Sequence, residues 1–452
     1  MERLACYRGE FFKGENMVKL KTFFWCYLLS MLVFGASALE LQTLNQQFKI
    51  GVKGNGSFWF GQVNRGTGIQ NNGTVKNVWT QNAYTSLLLD VLYKGKLQLV
   101  AGIEAETKFS WPIESQFSES KIARPEVYIL ESYGKYLLRG NINVLDFTAG
   151  VFKFKYNPDV RNLGEFLFRS ATYPTYVRTD FDDISAKLLG FKVSHNLSDC
   201  FTQHLLFTTE TVFYPAMDWS LAYLVNYDFF KKNFINLGAG ISLAHLISVY
   251  DRGMITTPRT EENRYIKDGD TSYYSFKGNK AMLKFSVDPL AFVRPSPLFG
   301  KNDLKIYAEA LLVGWKSYPD TTAKKFYTPS YSDWKEKTII TFGFNLPTFT
   351  ILDVLSLEFE YWGSEYYNDY RQIYVQDGRP LAPGFNENVK ESKWKWSLYM
   401  KKTFFNEHMA VTAQCARDHM RLFSALYDRA NHREMLVQAG DWWWVTKISF
   451  NF

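Results

Sequence analysis

The sequence predicts an all-β fold: a transmembrane antiparallel up-and-down β-barrel of about sixteen strands, with fourteen to eighteen compatible with the pattern, and with long extracellular loops. Three observations predict it. Side chains alternate between apolar and polar at period two, and short and long connections alternate along the chain. Aromatic residues reach 17% although charged residues still make up 21%. Barrels place such aromatic side chains in girdles at both membrane interfaces.

The two-residue alternation is clearest from Leu97 to Trp111. At about 3.3 Å per residue, a strand of this length crosses a bilayer core of about 30 Å even when it is tilted. One face carries Leu97, Leu99, Ala101, Ile103, Ala105, Thr107, Phe109 and Trp111, and the other carries Gln98, Val100, Gly102, Glu104, Glu106, Lys108 and Ser110.

The same pattern recurs along the chain, and each repeat predicts one strand. Closure is expected because an open sheet in lipid would leave two unpaired edges. The predicted strands cover about 48–60, 78–93, 97–111, 125–138, 142–155, 184–193, 201–213, 219–229, 234–250, 274–287, 304–315, 338–345, 354–362, 394–404, 409–420 and 442–452.

The connections between these strands largely alternate between tight and long, as expected for periplasmic turns and extracellular loops. Two connections depart from this rule. Segment 288–303 is long although a tight turn is expected there, and segment 214–218 is short although a long loop is expected. Either departure indicates that the strand count could be wrong by two. The tight turns are Lys94-Gly95-Lys96, Arg139-Gly140-Asn141, Lys231-Lys232-Asn233 and Asn406-Glu407-His408, and the long loops are 61–77, 112–124, 156–183, 251–273, 316–337, 363–393 and 421–441.

Residues 1–38 have the residue pattern of an export leader, and residues 39–452 are predicted to form a single barrel domain. Lys19 and Lys21 precede an apolar stretch from Thr22 to Phe34, which is too short to span a membrane. Ala36-Ser37-Ala38 then supplies a small-residue cleavage site. Since such a leader should begin near its basic region, we expect Met17 to be the true start; the alternative is an unusually long basic region from Met1.

The last strand carries the most specific pattern. Trp442, Trp444, Thr446, Ile448, Phe450 and Phe452 share one face, and Trp443, Val445, Lys447, Ser449 and Asn451 share the other. This ending resembles that of bacterial outer-membrane β-barrel proteins, without identifying a subfamily. The resemblance implies a Gram-negative outer-membrane location, contact with outer-membrane lipid and recognition by the barrel-assembly machinery through Trp444, Ile448, Phe450 and Phe452. It leaves a homo-oligomer open.

Composition and motifs argue against other classes of protein. The net charge of +7 is diffuse and comes with no basic run, so nucleic acid is not expected as a partner. The histidines show no HExxH spacing and there is no GxSxG elbow, so no catalytic residue, metal or cofactor is expected.

Asp180, Asp182, Asp183, Asp268 and Asp270 are read as solvated loop acids rather than calcium ligands. Cys200 and Cys415 are read as isolated residues, a disulfide being the alternative.

Charged side chains on the polar faces are the candidates to line a lumen. They include Glu104, Glu106, Lys108, Glu131, Lys135, Glu309, Glu358, Glu360 and Lys395. One interpretation is that they brace and solvate the wall; the other is that acidic and basic clusters on opposite walls orient permeating solutes.

The segment Tyr156–Asp183 is less polar than a solvated loop should be. One hypothesis folds it into the barrel, a position in which it resembles the constriction loop of general porins, with Arg161, Arg169 and Arg178 favouring anions. The alternative packs it over the rim. The outward aromatic residues Trp111, Tyr128, Trp219, Tyr223, Trp442 and Trp444 are read as interface anchors.

These observations favour a porin-like channel for passive diffusion of small hydrophilic solutes, because sixteen strands leave an aqueous passage. Two alternatives stay open. One is a structural or adhesive barrel with a plugged lumen and surface-binding loops, and the other is a hydrolase with its site near the rim.

Overall fold

The computed structural model describes residues 41–42, 47–67, 74–109, 123–139, 144–168, 185–209, 217–230, 234–249, 264–267, 269–273, 277–292, 298–315, 334–362, 393–424 and 429–452. The predicted leader, residues 1–38, lies outside the described residues. Among the residues described, no helix has the length and apolar character needed to span a membrane.

Sixteen strands form one closed antiparallel barrel, so the predicted fold class and strand number are confirmed. Each strand pairs with its neighbour in sequence, which is the up-and-down order. The strands are β1 (Phe48–Gly66), β2 (Val75–Tyr93), β3 (Leu97–Phe109), β4 (Ala123–Arg139), β5 (Val144–Phe154), β6 (Ala186–Ser198), β7 (Phe201–Thr209), β8 (Trp219–Phe229), β9 (Ile235–Ile247), β10 (Gly278–Val287), β11 (Ile306–Val313), β12 (Thr338–Asn345), β13 (Val354–Trp362), β14 (Trp394–Phe404), β15 (Met409–Arg417) and β16 (Trp442–Asn451).

The first and last strands close the barrel. β1 pairs with β16 from Asn55 opposite Asn451 to Arg65 opposite Trp442. Gly54 and Phe452 extend this pairing by exchanging two backbone hydrogen bonds of 2.7 and 3.0 Å. Closure matters because an unpaired backbone group in lipid costs several kcal/mol, on the order of a lost hydrogen bond in an apolar medium.

The wall has two chemically different faces, as the alternation requires. Apolar side chains such as Leu99, Ile103 and Leu283 face outward and are more than half exposed, with relative areas of 51%, 56% and 65%. The charged and polar side chains of the same strands face inward. The outer face is therefore predominantly apolar.

A β-bulge corrects one predicted orientation. Gly102 on β3 lies opposite Glu131, whereas the next residue, Ile103, lies opposite Ile129, so β4 carries one extra residue. A bulge shifts the alternation of side chains by one position. Tyr128 therefore lies opposite the inward-facing Glu104 and faces the interior, so its reading as a lipid-interface anchor is wrong.

Several predicted boundaries move by a few residues. β1 and β2 run further than expected, which shortens the predicted loop 61–77 to residues 67–74. β15 ends at Arg417 instead of at residue 420. Two short hairpins lie in segments predicted as loops, one of Arg264–Lys267 with Asp270–Tyr273 and one of Arg421–Ser424 with Arg429–Glu434. The irregular connections 214–218 and 288–303 do not change the strand count.

Candidate functional site

A segment between β5 and β6, residues 156–168, lies inside the barrel. β5 pairs with β4 only as far as Val151 opposite Ser132, so its last residues part from that neighbour. Leu163, Phe166, Leu167 and Phe168 are then at most 1% exposed. Several of the hydrogen bonds that hold the segment come from inward-facing side chains on other parts of the wall.

Glu358 on β13 binds the middle of this inserted segment. Its carboxylate accepts hydrogen bonds from the backbone N–H groups of Arg161, Asn162 and Leu163 at 2.5, 2.8 and 2.7 Å. Tyr307 on β11 donates to the same carboxylate at 2.7 Å. β13 lies eight strands from β5, so the segment reaches the far side of the barrel. Hydrogen bonds to an ionised acceptor are about twice as strong as neutral ones.

Glu309 on β11 and two lysines on β10 bind the flanking residues. Glu309 accepts from the backbone N–H groups of Glu165 and Phe166 at 3.0 and 2.9 Å, and from the Tyr156 hydroxyl. Lys280 donates to the carbonyl of Phe166 at 2.9 Å, and Lys284 donates to that of Tyr156 at 2.6 Å. Wall carboxylates thus bind backbone donors, and wall ammonium groups bind backbone acceptors.

Glu165, a residue of the inserted segment itself, is buried. Its carboxyl accepts from the backbone N–H groups of Asn157 and Tyr156 at 2.5 and 3.3 Å. Burial, and secondly the neighbouring Glu309, raise the pKa of Glu165 to about 8. Burial and Glu309 also raise the pKa of the Tyr156 hydroxyl. Both side chains are therefore largely neutral at pH 7.

A second inserted segment, residues 418–420 and 435–441, lies between β15 and β16. Met420, Met435, Leu436 and Val437 are at most 1% exposed. The backbone N–H of Met435 donates to the carbonyl of Met420 at 2.8 Å, which ties the two parts together. The hairpin 421–434 extends from this base.

The two inserted segments meet at Asp418. The Asn162 side-chain amide donates to its carboxylate at 2.8 Å, and the Trp443 indole N–H donates to the other oxygen at 2.9 Å. The adjacent His419 ring lies 5.9 Å from that of Phe166, and its Nε2 lies 2.8 Å from Glu360 Oε2. Asp418 and His419 thus link both inserted segments to Glu360 on β13.

Two buried apolar clusters fill part of the interior beside these segments. The larger surrounds Phe166–Phe168 and the smaller surrounds Trp443. The first contains Phe152, Phe154, Tyr156, Phe166, Leu167, Phe168, Ala186, Leu188, Leu206, Ala222, Leu224, Met282, Leu311, Val313, Ile339 and Trp362; the second contains Val63, Val75, Ala416, Met420, Met435, Leu436, Trp443 and Val445. An open passage has to lie beside these clusters.

Burial of the inner face differs between two parts of the wall. From β11 to β15 the inward side chains are mostly buried, including Ser356, Ser397 and Thr412 at 0%. From β2 to β5 many stay partly exposed: Tyr84, Asp90, Gln98, Glu104, Glu106, Glu131, Tyr133, Lys135 and Asp146. Among the described residues, the inner face is therefore most accessible along β2–β5.

The charged residues predicted to line a lumen divide along the same boundary. Glu309, Glu358, Glu360 and Lys395 are at most 2% exposed and lie beneath the inserted segments. The partly exposed inner face of β2–β5, which we call the open side, carries Glu104, Glu106, Glu131 and Lys135. Arg161 is half-buried beside Glu358. Arg169 and Arg178 lie outside the described residues, as does the side chain of Lys108.

Charged residues on the open side are held by neighbours on the wall. Lys187 on β6 donates to Glu104 at 2.7 Å, and Tyr84 donates to the other oxygen of that carboxylate at 3.2 Å. Asn82 donates to Glu106. Lys135 lies 3.4 Å from Asp146.

The residues expected to form the assembly signal lie on the outer face of β16. Trp444 contacts the rings of Phe60 and Trp79 at 6.0 and 5.8 Å. Ile448 and Phe450 lie opposite Phe58 and Gly56 of β1. The Phe452 ring covers Gly54, where a Cβ atom would come within 2.1 Å of it.

The sequence pattern does not single out Asp418 and His419, because the predicted strand 409–420 runs through them. Three consecutive charged or polar residues, Arg417 to His419, break the alternation there and are the pattern that marks the end of the strand. Lys280 and Tyr307 lie on inward faces but were not singled out. Their roles depend on which loop reaches them, which alternation does not encode.

Two further sets of residues have simple placements. Cys200, in the β6–β7 turn, and Cys415, on β15, are both free thiols. Within the described stretches, no group of three or more His, Cys, Asp or Glu side chains is arranged to hold a metal ion.

No family model and no curated protein matches the chain. Among solved structures it is similar to variants of the porin of Rhodopseudomonas blastica. One variant gives a TM-score of 0.42 at 9% identity, and a triple variant gives 0.40 at 10% identity. Each match covers 89% of this chain and 100% of the other. At this similarity the match concerns the course of the chain and not its function.

Proposed function

We propose that the protein is a porin-like channel of the bacterial outer membrane that passes small hydrophilic solutes by passive diffusion. The observation that carries this proposal is the asymmetric interior. The inserted segments cover the inner face from β11 to β15, whereas polar and charged side chains from β2 to β5 stay partly exposed. Such a polar, narrowed passage selects solutes by size and by the charge of its wall.

The charge of the open side favours cations. Its described acidic side chains are Asp90, Glu104, Glu106, Glu131 and Asp146, and the basic ones next to them are Lys135, Lys153, Lys187 and Lys192. This proposal replaces the earlier hypothesis of anion preference, which relied on Arg161, Arg169 and Arg178. Arg161 has its backbone bound to Glu358 on the covered side.

Recording from single molecules of the purified protein in a planar bilayer tests this function. We expect stepwise current increments, and permeation of small sugars that ends at a defined solute size. A protein that inserts into the bilayer but passes no current would contradict the proposal.

The second candidate is a plugged structural or adhesive barrel. The observation in its favour is the pair of buried apolar clusters, since Leu163, Leu167, Leu436 and Trp443 are all fully buried in the interior. Under this alternative the same recording shows insertion without current, and removal of residues 156–168 would open the barrel.

A further inference from the structure

Four consecutive connections on the tight-turn side, between β8 and β15, expose large apolar side chains. We call this set the phenylalanine rim. Its members and their exposed fractions are Phe230 (68%), Phe292 (53%), Leu298 (63%), Phe349 (55%), Ile351 (74%) and Phe405 (76%). The described connections on the other half differ, since the β2–β3 turn exposes Lys94, Gly95 and Lys96 and the β6–β7 turn exposes Asp199.

Three phenylalanines of the rim occupy left-handed backbone conformations. The φ angles of Phe230, Phe349 and Phe405 are +65°, +51° and +53°. This region is unfavourable for a bulky side chain and is normally occupied by Gly or Asn. In the β2–β3 turn the first residue after the strand, Lys94, is left-handed as well, with a φ angle of +50°. Three separate turns therefore accept an unfavourable backbone at a residue whose side chain points away from the protein.

Ring contacts join the rim to the lipid-facing band. On β8, Tyr227 contacts Phe229 at 4.6 Å, and Phe229 contacts Phe230 at 6.4 Å. The series continues from Phe230 to Phe234 at 6.2 Å and on to Phe292 at 5.0 Å. On β14, Phe404 contacts Phe405 at 6.5 Å. These ring contacts extend the apolar outer surface past the ends of β8 and β14, although the β14–β15 turn also exposes Asn406, Glu407 and His408.

We propose that the phenylalanine rim lies within the phospholipid interface on the tight-turn side, so that the membrane extends further along the barrel at β8–β15 than at β2–β3. Aromatic and aliphatic side chains gain free energy in the interface, whereas the lysines of the β2–β3 turn favour water and phosphate headgroups. The barrel would sit tilted relative to the bilayer normal. This surface has no part in conduction, so the proposal goes beyond the channel function and is tested separately from it.

Spin-label accessibility in phosphatidylcholine vesicles tests the proposal on the full-length protein. Single cysteines would be introduced as Phe405→Cys and Phe349→Cys, with Cys6, Cys26, Cys200 and Cys415 replaced by Ser. Lys94→Cys is the matched control, because Lys94 is also exposed, in a turn on the same side, and left-handed with a φ angle of +50°. Power saturation compares collision with oxygen, which concentrates in lipid, and with a neutral nickel chelate, which stays in water.

We expect the labels at residues 349 and 405 to collide several-fold more with oxygen than with the chelate, and the label at residue 94 to show the opposite ratio. Equal preference for the chelate at all three positions would overturn the proposal, because the rim would then be in water. Protection of 349 and 405 from both reagents would also overturn it, since a protein surface, such as a second copy of the chain, would then cover the rim.

Discussion

At the scale of single residues, the interior is organised by carboxylates that bind backbone. Glu358 accepts three backbone N–H groups of the inserted segment and one hydroxyl. The alternation of side chains predicts that Glu104 and Glu358 both face the barrel interior. It does not predict that Glu104 contacts water and Glu358 contacts a loop, because that difference depends on tertiary contacts.

The substitution Glu358→Gln tests the docking of the segment. It replaces one acceptor oxygen by an N–H₂ group that faces backbone donors, and each buried group left unsatisfied costs about 1–3 kcal/mol. We expect the segment to detach part of the time, with larger and noisier single-channel currents and a lower melting temperature. Glu407→Gln, in an exposed turn, is the control and should change neither. Unaltered currents in Glu358→Gln would contradict the docking role.

Glu165 gives the docking a pH dependence. Its pKa of about 8 in the docked segment exceeds the ordinary value of 4.5, so the docked state holds the proton more tightly. The contribution of Glu165 to docking stability is therefore greatest below about pH 4.5 and declines as the pH rises to about 8. The groups that face Glu165 are Glu309 from β11, Lys284 from β10 and Lys155 and Tyr156 from its own loop.

Hydrogen exchange of residues 156–168 at pH 5 and pH 8.5, corrected for the intrinsic rate, measures this effect. We expect weaker protection at pH 8.5 in the natural protein and a much smaller difference in Glu165→Gln, which stays neutral. Protection that is stronger at pH 8.5 would show that the sign is wrong.

At the scale of elements, sequence predicted the strands well and the inserted segments incompletely. All sixteen strands were located because each carries its own alternation, whatever its neighbours do. The second inserted segment was not foreseen, since Met435, Leu436 and Val437 lie in a stretch without regular alternation. Their burial depends on contact with Met420 and Trp443, and with the adjoining wall of β1 and β2. These two strands are distant in sequence from the segment but adjacent to it in the closed barrel.

Barrel closure predicts a specific sensitivity at Gly54 of β1. A Cβ atom there would lie 2.1 Å from the Phe452 ring, so Gly54→Ala must displace the terminal aromatic residue. We expect a loss of about 1–3 kcal/mol, typical of overpacking, seen as a lower melting temperature and a lower folding yield in vesicles. Gly51→Ala on the same strand is the matched control, because its nearest neighbour is 4.0 Å away. Equal stability of the two variants would contradict the contact.

At the scale of the whole molecule, the barrel has a covered side and an open side. The open side carries more acidic than basic side chains in its described part, and charges facing a narrow passage raise the local concentration of counter-ions. We expect the natural protein to prefer cations, and Glu104→Gln combined with Glu106→Gln to shift the reversal potential in a salt gradient toward zero. Glu360→Gln alone, on the covered side and fully buried, should produce a smaller shift. An identical shift from the Glu104/Glu106 double variant and from Glu360→Gln would contradict the division of the wall.

Charged thiol reagents, applied during single-channel recording, test most directly where the passage lies. Glu104→Cys on the open side and Ser356→Cys on the covered side would be compared in a protein in which Cys6, Cys26, Cys200 and Cys415 are replaced by Ser. We expect a stepwise fall in current when the reagent reaches Cys at position 104 and no change for position 356, whose native side chain is fully buried. Modification at position 356 with a fall in current, and none at position 104, would contradict it.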